Sequence, residues 1–190
     1  MKKVFSFDAE TLGLWGPEFA IAALVYDESG EEISRFLGRR ALTAEEDKLA
    51  DSIKSPDGKF DLRRDVIDVL DREGVTVTHA DRPSLLADFA KFYLANKQDA
   101  AVVVHMGTPV ESTLLRELHT RGLIGDWDGP FPLLDIADGL RQAGENPTSV
   151  DAYVAKYQLA VRDFGTPHNP LYDAEAAARV FLHLQSRVGK

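Results

Sequence analysis

The chain has 190 residues, of which 44% are hydrophobic, so it is long enough to bury a core of ordinary size within one domain. Its formal net charge of −9 argues against broad, non-specific binding to a nucleic-acid backbone, because such binding needs a basic face. The absence of cysteine excludes a disulfide framework and a thiolate metal site. We expect a cytoplasmic protein without a membrane span, because no long apolar run and no apolar leader occur.

The first predicted strand begins at Val4 and runs into two carboxylates, Asp8 and Glu10. Residues i and i+2 of a strand point to the same face, so these side chains project together from the strand's end. Two carboxylates this close repel each other, and burial raises the cost. A divalent cation that prefers hard oxygen ligands, Mg²⁺ or Mn²⁺, is the simplest remedy. From this stretch alone, a strand that ends in a solvated acidic turn stays equally open.

Two further strands are predicted before the chain becomes irregular. Alternating apolar residues indicate a strand from Phe19 to Tyr26, and a hairpin turn at 27–30 leads into a strand from Glu32 to Leu37. With the first strand they form an antiparallel meander. Residues 38–75 are interpreted as an irregular insertion that covers the site, with helical spacing at 42–53 and 61–72.

Helices and strands alternate in the rest of the sequence. The pattern predicts, in order, a helix at 82–96, a strand at 100–104, a helix at 110–121, a short strand at 131–134, helices at 136–142 and 149–157, and a last helix at 172–187. Three antiparallel strands followed by two parallel ones suggest a mixed sheet with helices on both faces. We therefore expect one α/β domain over residues 1–190.

Three more side chains stand at the ends of predicted elements. Glu111 lies near the start of the helix that follows the fourth strand, Asp173 starts the last helix, and His168 precedes it in a loop. Taken singly, each has an ordinary explanation. An acidic residue at a helix N-terminus interacts favourably with the helix dipole, and a lone loop histidine is commonly polar surface.

Taken together, these residues follow a recognisable pattern. Asp8-Ala9-Glu10-Thr11-Leu12-Gly13-Leu14 resembles D-x-E-T-x-G-L, the first motif of the DEDD exonuclease superfamily in its His-containing (DEDDh) branch. The segment 168–174 is similar to the third motif, H-x-A-L-x-D-A. The second motif, N-G-x-x-F-D or N-A-x-F-D, is expected at 106–111, where Glu111 replaces the aspartate and Val110 the phenylalanine. Glu117 and Asp135 stay open as alternative ligands for that role.

The resemblance covers nearly the whole chain outside 38–75 and implies a ribonuclease H-like fold. It also implies a metal-dependent 3′–5′ exonuclease that releases nucleoside 5′-monophosphates by two-metal-ion hydrolysis with Mg²⁺ or Mn²⁺. Asp8 would bridge the two cations, Glu10 and Asp173 would hold the water-activating one, and Glu111 would support the other. His168 would be the general base, on a loop that looks mobile and reaches the site when substrate binds.

The implied substrate is the 3′ end of a single-stranded nucleic acid, with RNA favoured over DNA by analogy alone. The backbone at Thr11 and Leu12 would face the terminal sugar, and Leu14 would wedge against the terminal base. Trp15 would stack on a base or, alternatively, pack at a domain corner. Arg39, Arg40 and Arg162 are candidate phosphate contacts. Small relatives are commonly dimers, so a homodimer stays open.

Two other functions compete with this interpretation. The first is a nucleic-acid-binding module that kept the fold and lost catalysis, which the Glu111 replacement and the acidic charge would suit. Retention of His168 argues against it, because a module that only binds needs no general base. The second is a ribonuclease H-like endonuclease, which would cut a circular substrate.

Overall fold

The computed structural model describes residues 3–187. These residues form five strands and seven α-helices, with one π-helical turn at Arg63–Ile67. The strands are β1 (Lys3–Thr11), β2 (Glu18–Asp27), β3 (Glu32–Arg39), β4 (Ala100–Val104) and β5 (Leu133–Asp135). The helices are α1 (Ala44–Ala50), α2 (Asp68–Arg72), α3 (Arg82–Asn96), α4 (Val110–Thr120), α5 (Ile136–Gln142), α6 (Val150–Tyr157) and α7 (Pro170–Arg187).

All five strands form one mixed sheet in the order β3-β2-β1-β4-β5. Strand β1 lies in the middle, antiparallel to β2 and parallel to β4, while β5 is parallel to β4. Strands β2 and β3 pair antiparallel. The predicted mixed sheet of three antiparallel and two parallel strands is therefore confirmed.

The two faces of the sheet are covered by different helices. Phe5 and Phe7 of β1 belong to a core that includes residues of α3 and α4 such as Phe89 and Leu114. Val4, on the opposite face, belongs to a core shared with α5, α6 and α7. Because strand side chains alternate between faces, Asp8 and Glu10 point to the side of Val4 and α7.

Residues 40–75 form a third core across one end of the sheet. Leu12 and Phe19 are buried there against Leu62, Val66 and Leu70. Helix α1 begins with a capping box, in which Thr43 Oγ1 accepts from the Glu46 amide at 3.2 Å and the Glu46 carboxylate accepts from the Thr43 amide at 2.9 Å. The predicted helical spacing at 61–72 corresponds to the π-helical turn and α2.

Two arginines proposed as phosphate contacts belong to this packing instead. Arg40 is 3% exposed, and its guanidinium donates to both carboxylate oxygens of Glu46 at 2.7 Å and to the Glu18 carbonyl. Arg39 is 8% exposed and pairs with Asp71. The phosphate prediction is wrong for both, because a buried guanidinium needs its own acceptors and these are inside the fold. Within residues 3–187, no helix is long and apolar enough to cross a membrane.

Candidate active site

Acidic side chains from three elements meet at the carboxyl end of β1. Asp8 and Glu10 come from the strand, Glu111 from the first turn of α4, and Asp173 from the first turn of α7. Single ligand atoms of Glu10, Asp173 and His168 all lie within 4.8 Å of one another. Residues far apart in the chain, as the motif order predicted, are thus brought to one place.

Glu111 is tied directly to the strand. Its Oε1 accepts a hydrogen bond from the Ala9 amide at 3.1 Å, between the two acidic residues of β1. The side chain is 4% exposed. The longer side chain of Glu111 therefore reaches the acidic cluster, where the β1 backbone holds it through this hydrogen bond.

The electrostatics of the cluster are unfavourable without a counter-charge. Burial raises the pKa of Asp8, Glu10 and Asp173 well above their usual values, and the charges of neighbouring carboxylates add to the effect. Burial also raises the pKa of Glu111 to about 8. None of these four carboxylates pairs with a lysine or arginine within residues 3–187. A set of converging oxygen donors without a basic partner fits a hard divalent cation.

The alternative ligands are engaged elsewhere. Glu117 accepts from Arg82 and Arg121 at 3.1 and 2.7 Å. Asp135 accepts from the amides of Met106 and Gly107, each at 3.0 Å, and caps α5. Asp135 therefore holds the loop that leads to Glu111, and Glu117 belongs to an arginine network.

His168 lies beside the cluster in a loop before α7. Its amide donates to Asp173 Oδ2 at 2.9 Å, and its backbone is left-handed at φ +71°. The imidazole packs edge-on against the Phe60 ring, with ring centroids 5.7 Å apart. Partial removal from water lowers the pKa of His168, while the charges of Asp65 and Asp151 oppose that shift.

That the His168 loop is mobile stays a prediction; the structure shows the loop hydrogen-bonded to the segment that follows α2. The loop residues Thr166 and Asn169 are both hydrogen-bonded to Glu73, which follows α2. The imidazole of His168 lies beside the carboxylates of Glu10 and Asp173. Sequence reasoning missed Glu73 because nothing local distinguishes it from any other surface glutamate.

A cleft of about 500 Å³ opens next to Glu10 and His168. Thr11, Gly13 and Leu14 line one side, and residues of the 53–62 segment line the other. Leu14 is 66% exposed, whereas the Leu12 side chain is 5% exposed and packs in the third core, and the Leu12 amide donates to the Pro17 carbonyl at 3.1 Å. Trp15 is 76% exposed, which contradicts the alternative that it packs at a domain corner.

A smaller cavity of about 270 Å³ lies on the other side of the cluster. Asp8, His168 and Asp173 line it together with His105 and Asp151. His105 directly follows β4, and a polar residue at the carboxyl end of a buried parallel strand was a usable signal. Asp151 gave no such signal.

Arg162, the third proposed phosphate contact, is occupied by acidic groups. Its guanidinium pairs with Glu32 and with the fully buried Glu175. It also lies over the Phe164 ring at 4.5 Å from the centroid. The guanidinium therefore fixes the segment before the His168 loop, and the phosphate prediction is wrong here too.

Of the known proteins compared with the chain, only solved structures match it. Neither protein-family models nor curated protein sequences match the chain. Among solved structures, the chain is similar to the nuclease domain of 3′hExo, a DEDDh family member, bound to rAMP, with a TM-score of 0.60 and 14% identity over 97% of this chain and 90% of that one. It is also similar to E. coli Exonuclease I in complex with a dT13 oligonucleotide, with a TM-score of 0.55 and 14% identity over 100% of this chain and 42% of that one.

These likenesses define the class of fold. The chain has the fold of the DEDD-type 3′–5′ exonucleases, and the resemblance inferred from the motifs is confirmed at that level. The chain is likewise similar to a 3′-exonuclease in a structure of 3′-end specific recognition of histone mRNA stem-loop, with a TM-score of 0.60 and 13% identity over 97% of this chain and 82% of that one.

Proposed function

We propose that the protein is a metal-dependent 3′–5′ exonuclease that releases nucleoside 5′-monophosphates from single-stranded nucleic acid. The observation that carries the proposal is the meeting of Glu10, Asp173 and His168 beside an open cleft, on a fold shared with 3′ exonucleases. A binding module needs neither a histidine at the acidic cluster nor carboxylates held together against their repulsion. The binding-module alternative is therefore not favoured.

The chemistry follows from the side chains present. Asp8, Glu10, Asp173 and Glu111 would hold two divalent cations, Mg²⁺ or Mn²⁺, which when bound would stabilise the attacking and leaving oxygens of the phosphodiester. His168 would accept the proton of the attacking water, since a base needs a pKa near or below the working pH to be free. Partial removal from water lowers the pKa of His168, which favours the neutral imidazole that can accept a proton.

The cleft beside Leu14 fits the terminal nucleoside. Its walls present apolar side chains for a base, and Thr11 lies at the wall where a sugar would contact the strand end. Trp15, exposed just beyond Leu14, would stack on a neighbouring base. Two similar proteins hold rAMP and dT13, so RNA and DNA are both substrates to test, and RNA is our first choice.

A digestion with end-labelled substrates tests the proposal. A 5′-labelled single-stranded RNA, its DNA equivalent and a circular form are incubated with Mn²⁺, Mg²⁺ or a chelator. We expect a descending ladder that requires metal, spares the circle and disappears in Asp8→Ala. Cleavage of the circle would support an endonuclease instead. Intact linear substrate that is nevertheless bound by a folded protein would support the binding module.

A further inference from the structure

We propose that Glu73 is a positioning residue that fixes the His168 loop at the acidic cluster, and that this is what the segment before α3 contributes to the site. The catalytic consequence of this inference rests on the proposed function. Its structural part rests on the hydrogen bonds alone. Glu73 lies about a hundred residues before the loop, so the contact joins two parts of the fold that the sequence keeps apart.

Both oxygens of the Glu73 carboxylate are used by the loop. Oε1 accepts from the Thr166 amide at 3.0 Å and from the Thr166 hydroxyl at 2.7 Å. Oε2 accepts from Asn169 Nδ2 at 2.8 Å. The Glu73 side chain is 14% exposed; its bond to Asn169 is partly buried, and its two bonds to Thr166 lie at the surface. The two residues flank His168, whose backbone is therefore held on both sides.

Asn169 passes this restraint to the last helix. It is 2% exposed, and its Oδ1 accepts from the Leu171 amide at 3.1 Å, at the start of α7. Its Nδ2 also donates to the Phe164 carbonyl at 2.8 Å. One buried amide thus links Glu73, the loop and the helix that carries Asp173, so that the histidine and the acid are set relative to each other.

The loop backbone is shaped to admit the carboxylate. Gly165 has φ +116°, and a Cβ at this position would lie 1.9 Å from Glu73 Oε2. Glycine is needed here both for the backbone conformation and for the close approach. On the other side of the loop, the Phe60 ring packs against the imidazole. Residues 60 and 73 therefore restrain both the ring and the backbone of His168.

The structural part is tested by hydrogen exchange on metal-free protein. Glu73→Ala is compared with wild type and with Asp71→Ala, which removes an ion pair of the same helix that does not reach the loop. We expect amide exchange over residues 164–169 to rise about tenfold or more in Glu73→Ala and to stay unchanged in Asp71→Ala. Glu73→Gln keeps the acceptor for Thr166 and is expected to be intermediate. Gly165→Ala should raise amide exchange in the same way, because its Cβ would push the Glu73 carboxylate away from the loop.

The catalytic part is tested by steady-state kinetics on the same variants. We expect Glu73→Ala to lower kcat about 10- to 100-fold with KM within about threefold, because the carboxylate touches the loop and not the cleft. Unchanged exchange in Glu73→Ala would overturn the proposal. So would altered exchange with wild-type kcat, or equal kcat in Glu73→Ala and Asp71→Ala. An inactive wild type would instead refute the proposed function, and the exchange result would stand by itself.

Discussion

His168 is the residue that distinguishes a catalyst from a module that only binds. We predict that His168→Ala lowers kcat by about 100-fold or more, because positioned general bases contribute roughly 10²- to 10⁴-fold. Folding should be unaffected, since the side chain is largely exposed. Rates of mononucleotide release and thermal melting measure the two effects. His119→Ala is the matched control, because His119 is an exposed histidine that pairs only with Asp126. Near-normal turnover in His168→Ala would remove the general base from the mechanism.

Trp15 and Trp127 allow a paired test of substrate contact. Both indoles are exposed, at 76% and 87%, but only Trp15 follows the motif that lines the cleft. We predict that Trp15→Ala weakens oligonucleotide binding by roughly 1–3 kcal/mol, the usual contribution of a base stacked on an aromatic ring. Fluorescence anisotropy with catalysis blocked by chelation or by Asp8→Ala measures it. Equal affinity of Trp15→Ala and Trp127→Ala would place the nucleic acid elsewhere.

Glu111 makes the metal-free protein sensitive to pH. Its pKa of about 8 in the folded protein lies above the usual 4.5, so the folded state holds a proton that the unfolded state releases. This stabilisation is complete below about 4.5 and is lost as the pH rises to about 8. We predict that Glu111→Gln is more stable than wild type at pH 7 by on the order of 2 kcal/mol in chelator, with a flatter pH profile.

Urea unfolding across pH 5 to 9, at intervals of about one pH unit, measures the effect. Added Mn²⁺ should reverse the order of the two proteins, because a cation favours the ionised carboxylate and is held less tightly by a neutral amide oxygen. A wild-type profile parallel to that of Glu111→Gln would show that Glu111 ionises normally.

The residues of the site differ in whether the local sequence identifies them. Asp8, Glu10, Asp173 and His168 were predictable, because each lies in a short motif whose spacing reflects a strand or a helix start. Glu73 was not predictable, because its partners lie in a loop that only the fold brings near. Arg39, Arg40 and Arg162 were misread, since a free arginine and one paired with acidic groups inside the fold look alike in sequence.

The segment from α1 to α2 owes its fixed position largely to one buried arginine. Arg40 joins the end of β3 to Glu46 in α1 and to the Glu18 carbonyl in β2. We predict that Arg40→Ala destabilises the protein by roughly 3–5 kcal/mol, since truncation leaves buried acceptors unpaired. Arg64→Ala, which removes an exposed pair with its neighbour Asp65, should cost about 1 kcal/mol or less. Equal midpoints of urea unfolding for the two variants would contradict this account.

The helices and strands were largely predictable from periodicity and caps. Strand β4 and helix α5 lie where the pattern placed them, and α7 begins two residues earlier, at Pro170. Proline is tolerated in a first helical turn, which explains how the helix can begin at Pro170, upstream of the motif's acidic residue Asp173. The π-helical turn before α2 was not predictable, because its apolar spacing is close to that of an α-helix.

The chain as a whole combines a strongly acidic character with a site that must accept phosphates. Its net charge of −9 does not favour an extended basic face for binding a nucleic-acid backbone. An enzyme that binds only the end of a nucleic-acid chain through metal cations needs no such face, whereas an enzyme that moves along a long nucleic-acid backbone needs one. The mixed sheet was predictable from the order of the strands and helices, but the third core over residues 40–75 depends on contacts that no motif encodes.

The measurement that tests the central claim most directly is Mn²⁺ binding by calorimetry, in wild type and in Asp8→Asn. The account predicts that wild type binds Mn²⁺ and is stabilised by it, since a ligand that binds only the folded state raises the free energy of unfolding. It also predicts that Asp8→Asn loses this binding while remaining folded. Equal binding by the two proteins, or no binding by folded wild type, would contradict a metal centre at the carboxyl end of β1.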